Sequence, residues 1–180
     1  MRRALLIVLL ALVTISLASD LPVVRSGDFE GLAAGLERDI FAGINAERQA
    51  GHFRPLSENE RLRAAAREHS KDMARRAYFS HEDHSGGTPT TRIVKAGVRC
   101  TASGENIYQN NLYSRVTIVG SQRSYQWNSQ QEIANSTVRG WMNSSGHRRN
   151  ILDPQYRETG IGVAVAPDGK VYVTQDFCTP

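Results

Sequence analysis

The C-terminal end carries the pattern that constrains the fold most. Two apolar runs, Gly160 to Ala166 and Val171 to Phe177, flank Pro167-Asp168-Gly169-Lys170. An Asp-Gly pair between two such runs selects a tight turn, so the segment reads as an antiparallel β-hairpin. Gly104 to Tyr108 reads as a further strand. Asn110 to Asn128 is polar, holds Tyr113, Tyr125 and Trp127, and reads as a long loop with room for a strand at Arg115 to Val119. Loops of that length are often functional.

Upstream of the hairpin the apolar period changes to that of helices. Leu36, Ile40 and Ile44 recur every four residues, which sets a first helix over 36–50 that Gly51 can end. Ser57 with Glu60 has the spacing of a capping box and predicts the start of a second helix. On that helix Leu62, Ala65, Ala66, His69, Met73 and Ala77 share one apolar face. Thr88 as cap, Pro89 at the first position and Gly97 past the end frame a short third helix. Ser129 with Glu132 opens a fourth, which runs through Ile133, Val138, Trp141 and Met142 and stops near Gly146. Four helices covering a small antiparallel sheet indicate the α+β class.

The N-terminus points outward from the cell. Met1-Arg2-Arg3 precedes an unbroken apolar run, Ala4 to Val13, and Ser16-Leu17-Ala18 is a small-x-small cleavage pattern. These are the parts of a Sec-type signal peptide over residues 1–18. The run is shorter than the ~20 residues a membrane-spanning helix needs. Residues 19–35 follow as a lead-in and 36–180 as one domain, within the 180 residues available for a core. A secreted or extracellular location is expected, with no transmembrane segment after cleavage. Cys100 and Cys178 are the two cysteines, and an even pair in an exported chain suggests a disulfide.

Charge narrows the partners. Cleavage removes Arg2 and Arg3 and no acid, so 20 of the 22 basic residues remain and outnumber the 18 acidic ones by only two. That balance gives nucleic-acid binding little support. Arg63, Arg67, Lys71 and Arg75 form a helical stripe, but Glu60, Glu68 and Asp72 are interleaved with it, which describes a solvated helix face.

Chemistry-bearing residues gather in four places: His81-Glu82-Asp83-His84, Gly104-Glu105-Asn106-Ile107, Asn143 to Asn150 around His147, and Asp176. The first superficially matches the zinc-protease pattern H-E-x-x-H. Its second His comes one residue early, and Gly86-Gly87 opposes the helix that i,i+4 ligation needs. His69 lies on the apolar face of its helix and reads as a core histidine. Trp141 reads as core as well. There is no G-x-S-x-G elbow, and Ser80 beside His81 in sequence lacks the geometry of a nucleophile and its base.

Several of these segments occur together in a known order. Asn45-x-x-Arg48, Ala66-x-x-His69-Ser70-x-x-Met73, Phe79-Ser80-His81, Gly104-Glu105-Asn106-Ile107, Trp141 to Leu152 and Thr159-Gly160-Ile161-Gly162-Val163 span nearly the whole mature chain. From about Leu36 to Cys178 the chain resembles the CAP superfamily of cysteine-rich secretory, antigen 5 and pathogenesis-related proteins, in its compact prokaryotic form. The resemblance implies a three-layer α-β-α sandwich with a central cleft. It also implies a cleft set of two His and two acids, which in some members binds zinc or another divalent cation. His81, Glu105 and His147 match three of these positions. The second acid falls at Ser144, so one ligand is missing, with Glu82, Asp83 and His84 as nearby substitutes.

The residue chemistry is compatible with that implication. Two imidazoles and a carboxylate suit zinc and leave a position open for water. The same trio can hold a cleft together with no metal, and Glu105 and Asn106 can equally be structural, tying loops through buried hydrogen bonds. Two readings of function follow. One is an extracellular ligand- or surface-binding module whose partner is a lipid or sterol, a metal, a cell-wall polymer or a protein. The other is a metal-assisted hydrolase or peptidase using the same cleft. Cleavage after Ala18 makes a direct prediction. N-terminal sequencing of exported material should begin at Ser19 or within a couple of residues of it, and a membrane-retained protein still starting at Met1 would refute it.

Overall fold

A computed structural model describes residues 26–180, with side chains from Phe29 onward. The expected signal peptide over 1–18 and the first part of the lead-in lie outside the described residues. The elements run α1 (Ser26–Ala50), β1 (Ser57–Glu58), α2 (Glu60–Arg76), α3 (Pro89–Lys95), β2 (Ala102–Asn111), β3 (Tyr113–Val119), β4 (Gln122–Trp127), α4 (Gln130–Asn143), α5 (Ser145–Leu152), β5 (Glu158–Val165) and β6 (Lys170–Thr179).

The C-terminal hairpin is the centre of the fold. β5 and β6 pair antiparallel around Gly169, whose φ of 85° is the conformation the Asp-Gly turn requires. They lie in a four-stranded sheet of order β1-β5-β6-β2, with β1 parallel to β5 and β2 antiparallel to β6. Alternation along each strand assigns the two faces. Ile161, Val163, Val173 and Phe177 join Leu36, Ile40, Ile44, Val138 and Trp141 in one core under α1, α4 and α5. Tyr172 and Ile107 meet Met73 under α2, and Cys178 meets Leu62 and Ile93 under α2 and α3. The result is the α-β-α sandwich that the resemblance implied.

The layer beneath α2 is unusually thin. Gly160 and Gly162 face α2, and a Cβ on either would lie far inside contact distance of the backbone at Leu62-Arg63 or Ala66-Arg67. Ser70 Oγ reaches across to the Gly162 carbonyl at 2.9 Å and pairs with Thr174 Oγ1 at 2.8 Å. Past β1 the rim of β5 is open, and Glu37 of α1 covers it. One Glu37 carboxylate oxygen accepts from Val163 N at 3.1 Å and from Arg67 Nε at 2.7 Å, and the other meets the same guanidinium. Edge N–H groups are a liability that this buried ion pair removes.

Several expected boundaries move, each for a tertiary reason. α1 begins at Ser26 rather than near Leu36, so residues 26–35 of the lead-in are helical. α2 is capped by Asn59, whose Oδ1 accepts from Arg61 N and Leu62 N, and not by Ser57. Ser57 N and Asn59 N instead donate to Arg157 O and Thr159 O, both at 2.9 Å, which draws Ser57–Glu58 into β1. α3 and α4 start at their expected capping boxes. α4 ends at Asn143, where Ser144 turns extended (φ −96°, ψ 122°), and Gly146 lies inside a fifth helix, α5. The stretch Asn110–Asn128 is mainly a two-stranded hairpin, β3–β4, rather than a loop.

Both residues of the Asn45-x-x-Arg48 motif prove to be fasteners. Arg48, fully buried, donates to Arg54 O at 2.8 Å, Ile151 O at 2.6 Å and Asp153 O at 2.9 Å, satisfying carbonyls at the end of α5. Asn45 pairs with both backbone groups of Leu56. The Cys100–Cys178 disulfide is present, with a Cα–Cα distance of 5.4 Å and a separation of 78 residues. Closing a loop of that size is worth ~4 kcal/mol in the chain-entropy model. The glycine contact gives the prediction. Gly162→Ala should lower unfolding stability by about 3 kcal/mol in urea titrations, because backbone has to move to admit one methyl group. Unchanged stability would mean that α2 does not lie flush on β5.

Candidate functional site

The residues singled out by sequence arrive from separate elements at one end of the sheet. His81 follows α2 on the loop Tyr78–Gly87, Arg92 lies on α3, Glu105 on β2 and His147 on α5. Glu105 is their hub, with a side chain only 1% exposed. Its Oε2 accepts from Arg92 Nη2 at 2.6 Å and its Oε1 meets His81 Nδ1 at 2.7 Å. A buried carboxylate persists only when paired, and Arg92 supplies the charge. The same guanidinium donates through Nη1 to His81 O at 3.0 Å and Gly87 O at 2.9 Å, holding the loop that carries His81.

Each imidazole is set differently. The Glu105 carboxylate only accepts, so His81 Nδ1 carries the hydrogen and leaves Nε2 on a side chain 49% exposed. His147 is half-buried and lies near enough to His81 to feel its charge. Burial first, and a positive His81 second, hold the His147 pKa below the ordinary histidine value, so it is neutral at pH 7. His69 is buried, and its Nε2 donates to Ser80 O at 2.9 Å, fixing the start of the loop. It is the core histidine expected from its helix face, with its pKa lowered chiefly by desolvation.

Asn106, fully buried, is a positioning group. Its Nδ2 donates to His147 O at 3.2 Å, and its Oδ1 accepts from Asn150 Nδ2 at 2.9 Å. Asn150 also donates to Glu105 O at 3.2 Å. Together they pin α5 to β2 and fix where His147 stands. Ser144 occupies the bend between α4 and α5, half-buried, and its side chain does not cap α5. The nearby substitutes for the absent acid are engaged elsewhere or point to solvent. Asp83 Oδ1 accepts from Ser85 N and Gly87 N, His84 packs on Tyr78 at 4.5 Å, and Glu82 is exposed. Among the described residues no three His, Cys, Asp or Glu side chains are grouped to hold a metal. The fit to a divalent cation therefore rests on two imidazoles, with Glu105 orienting one of them rather than facing the ion.

Asp176 is the cross-strand partner of Glu105 and is completely buried. Neither of its oxygens has a hydrogen-bond partner. Burial, and then the neighbouring Glu105 charge, hold its pKa well above the ordinary carboxylate range, so Asp176 is a neutral acid beside a charged one. Arg92 and Asn150 carried no signal of their own in the sequence, since one Arg on a short helix and one Asn after His147 look like surface residues. No nucleophile with a base accompanies the site among the described residues. Cys100 is in the disulfide, and Ser80 Oγ accepts from Glu82 N at 3.1 Å.

Comparisons with known proteins bear on the family and the fold. The family model described as the cysteine-rich secretory protein family, CAP, matches residues 41–177. The uncharacterized protein YkwD of Bacillus subtilis is 33% identical over 141 residues, covering 78% of this chain and 46% of its own length. A crystal structure of an extracellular protein containing a SCP domain from Bacillus anthracis superposes with a TM-score of 0.69 at 26% identity, over 87% of this chain and 44% of that one. An outer surface protein of Borrelia burgdorferi shares the fold, with a TM-score of 0.63 at 17% identity, over 80% of this chain and 92% of that one. The chain thus spans less than half the length of YkwD and of the B. anthracis protein.

The buried acid pair gives a pH prediction. The folded state holds a proton on Asp176 where the unfolded chain, with a carboxyl pKa of about 3.9, has released it, so stability falls as pH rises above about 4. Asp176→Asn removes that dependence. In urea titrations it should match or trail the wild type near pH 3 and gain on it by about 1 kcal/mol or more toward neutral pH. A stability difference constant with pH would show that Asp176 is ionised in the fold.

Proposed function

The chain belongs to the cysteine-rich secretory protein (CAP) family, and on that premise we propose that it is a secreted ligand-binding module whose cleft presents His81 and His147 to a divalent cation, zinc best of all. The observation that carries the reading is the His81–Glu105–Arg92 chain. A buried, charge-neutralised carboxylate holds Nδ1 of a half-exposed imidazole and turns its Nε2 outward, which is the usual support of a ligating histidine. His147 is kept neutral, the state a metal needs. Glu105 is occupied on both oxygens, so it orients His81.

Two imidazoles from the chain leave coordination positions for water or for a donor brought by the ligand. A zinc ion so held binds anionic or carbonyl oxygen. The absent acid at Ser144 makes the metal affinity low and dependent on the ligand. The disulfide and the similarity to an extracellular SCP-domain protein support a location outside the cell.

Calorimetric titration with zinc at neutral pH tests this. His81→Ala and His147→Ala should each weaken binding at least tenfold or so, Glu105→Gln should weaken it roughly tenfold by freeing His81, and Ser144→Glu should strengthen it. Binding should weaken as pH falls through the ordinary histidine value of about 6.5, because both imidazoles must be neutral to ligate. Folded His variants with unchanged zinc affinity would overturn the reading.

A further inference from the structure

The β3–β4 hairpin has no part in the cleft. It leaves the sheet at the end of β2, six residues beyond Glu105, or ~20 Å along an extended strand. Its fastenings are all at its base. Leu112 N donates to Gly169 O and Asn128 N to Leu112 O, both at 2.8 Å, and Tyr113 OH donates to Asp168 O at 2.8 Å. Beyond that base its two strands pair with each other in a separate sheet.

Its surface is unlike the rest of the protein. Register places Val116 opposite Tyr125 and Ile118 opposite Arg123, and Tyr113 opposite Trp127. Tyr113, Val116, Ile118, Arg123, Tyr125 and Trp127 therefore share one face, Arg115 lies on the other, and Val119 stands at the tip beside Gly120. Val116, Ile118, Val119 and Trp127 are 39%, 63%, 72% and 49% exposed; among the described residues only Phe79 and Val94 are other large apolar side chains left so open. Between Asn106 and Gln131 the sequence holds Arg115 and Arg123 and no acid.

We propose that this hairpin docks the protein on an anionic lipid bilayer, with Ile118, Trp127 and the tip Val119 entering the headgroup region and Arg123, on the same face, meeting lipid phosphates. Trp and Tyr favour the membrane–water boundary because one edge is apolar and the other hydrogen-bonds. Branched aliphatic side chains at a projecting tip supply the apolar insertion, and a positive, acid-free wing supplies the attraction. A second copy is the poorer occupant, because two such wings would bring four arginines together with no counter-charge. A sugar polymer is poorer too, since Tyr113 meets Trp127 at 85° and Tyr125 at 60°, and Tyr125 and Trp127 are tilted by 35°, so the three rings form no flat platform.

The test is co-sedimentation with vesicles of phosphatidylcholine alone and of equal parts phosphatidylcholine and phosphatidylglycerol. The wild type should bind the second kind and release it as salt rises. Ile118→Ser with Val119→Ser should cut the partition coefficient about tenfold, and Arg115→Gln with Arg123→Gln roughly tenfold to thirtyfold. Trp127 emission should shift to the blue on binding, while buried Trp141 reports an unchanged fold. Zinc titration of both double variants should equal that of the wild type, which separates the wing from the cleft. Failure to bind, equal binding by wild type and variants, or a change confined to lipid-free self-association would each overturn the proposal, the last in favour of a second copy.

Discussion

The direct seating of α2 on β5 is the constraint on which the remaining structure depends. Gly160 and Gly162 lie one above the other on the same strand face and let helix backbone touch strand backbone. At that distance Ser70 reaches both Gly162 O and Thr174, which locks the helix against sliding along the sheet. The end of α2 then has one position, and His69 takes up the Ser80 carbonyl there. His81, one residue later, is delivered to Glu105. A larger residue at either glycine lifts the helix and with it the entry to the cleft.

Buried charge is the second organising force, and it is used at three places with three outcomes. Glu37 is paired with Arg67 and closes the open rim of β5. Arg48 faces a cage of carbonyls at the end of α5. Glu105 and Asp176 are cross-strand partners, and Arg92 pairs only with Glu105, so burial and the Glu105 charge favour the protonated form of Asp176. Two buried like charges on paired strands disfavour each other's ionisation in a medium that screens so poorly. This arrangement keeps Glu105 a strong acceptor for His81.

The cleft is thus built less from ligands than from supports. Arg92 holds the loop and the carboxylate together, Asn106 and Asn150 hold α5 to β2, and the disulfide ties the segment before β2 to the end of β6. The two imidazoles are what remains accessible. With Ser144 where the resemblance implies an acid, the site has one donor fewer than the two-His, two-acid set. The hairpin stands apart from this economy: its apolar side chains are turned outward, where folding gains nothing from them.

What the sequence determined by itself are the features with a local physical cause. The β5–β6 hairpin follows from Asp168-Gly169, the starts of α3 and α4 from Thr88-Pro89 and from Ser129 with Glu132, and the core faces of α1 and α2 from their apolar period. His81, Glu105 and His147 were legible through motifs, as was the disulfide through an even cysteine pair. The tertiary structure alone decided the rest. Ser57 looked like a cap until β5 claimed its backbone, and the break at Ser144 follows no strong local signal. Arg92 became a member of the site only through the docking of α3, and Asp176, singled out in the sequence, was joined to Glu105 only by the register of β2 on β6. Local propensity is written in neighbours along the chain. A buried carboxylate's partner, its protonation and the seat of a helix on glycine are set by groups tens of residues away, which meet only when the layers close.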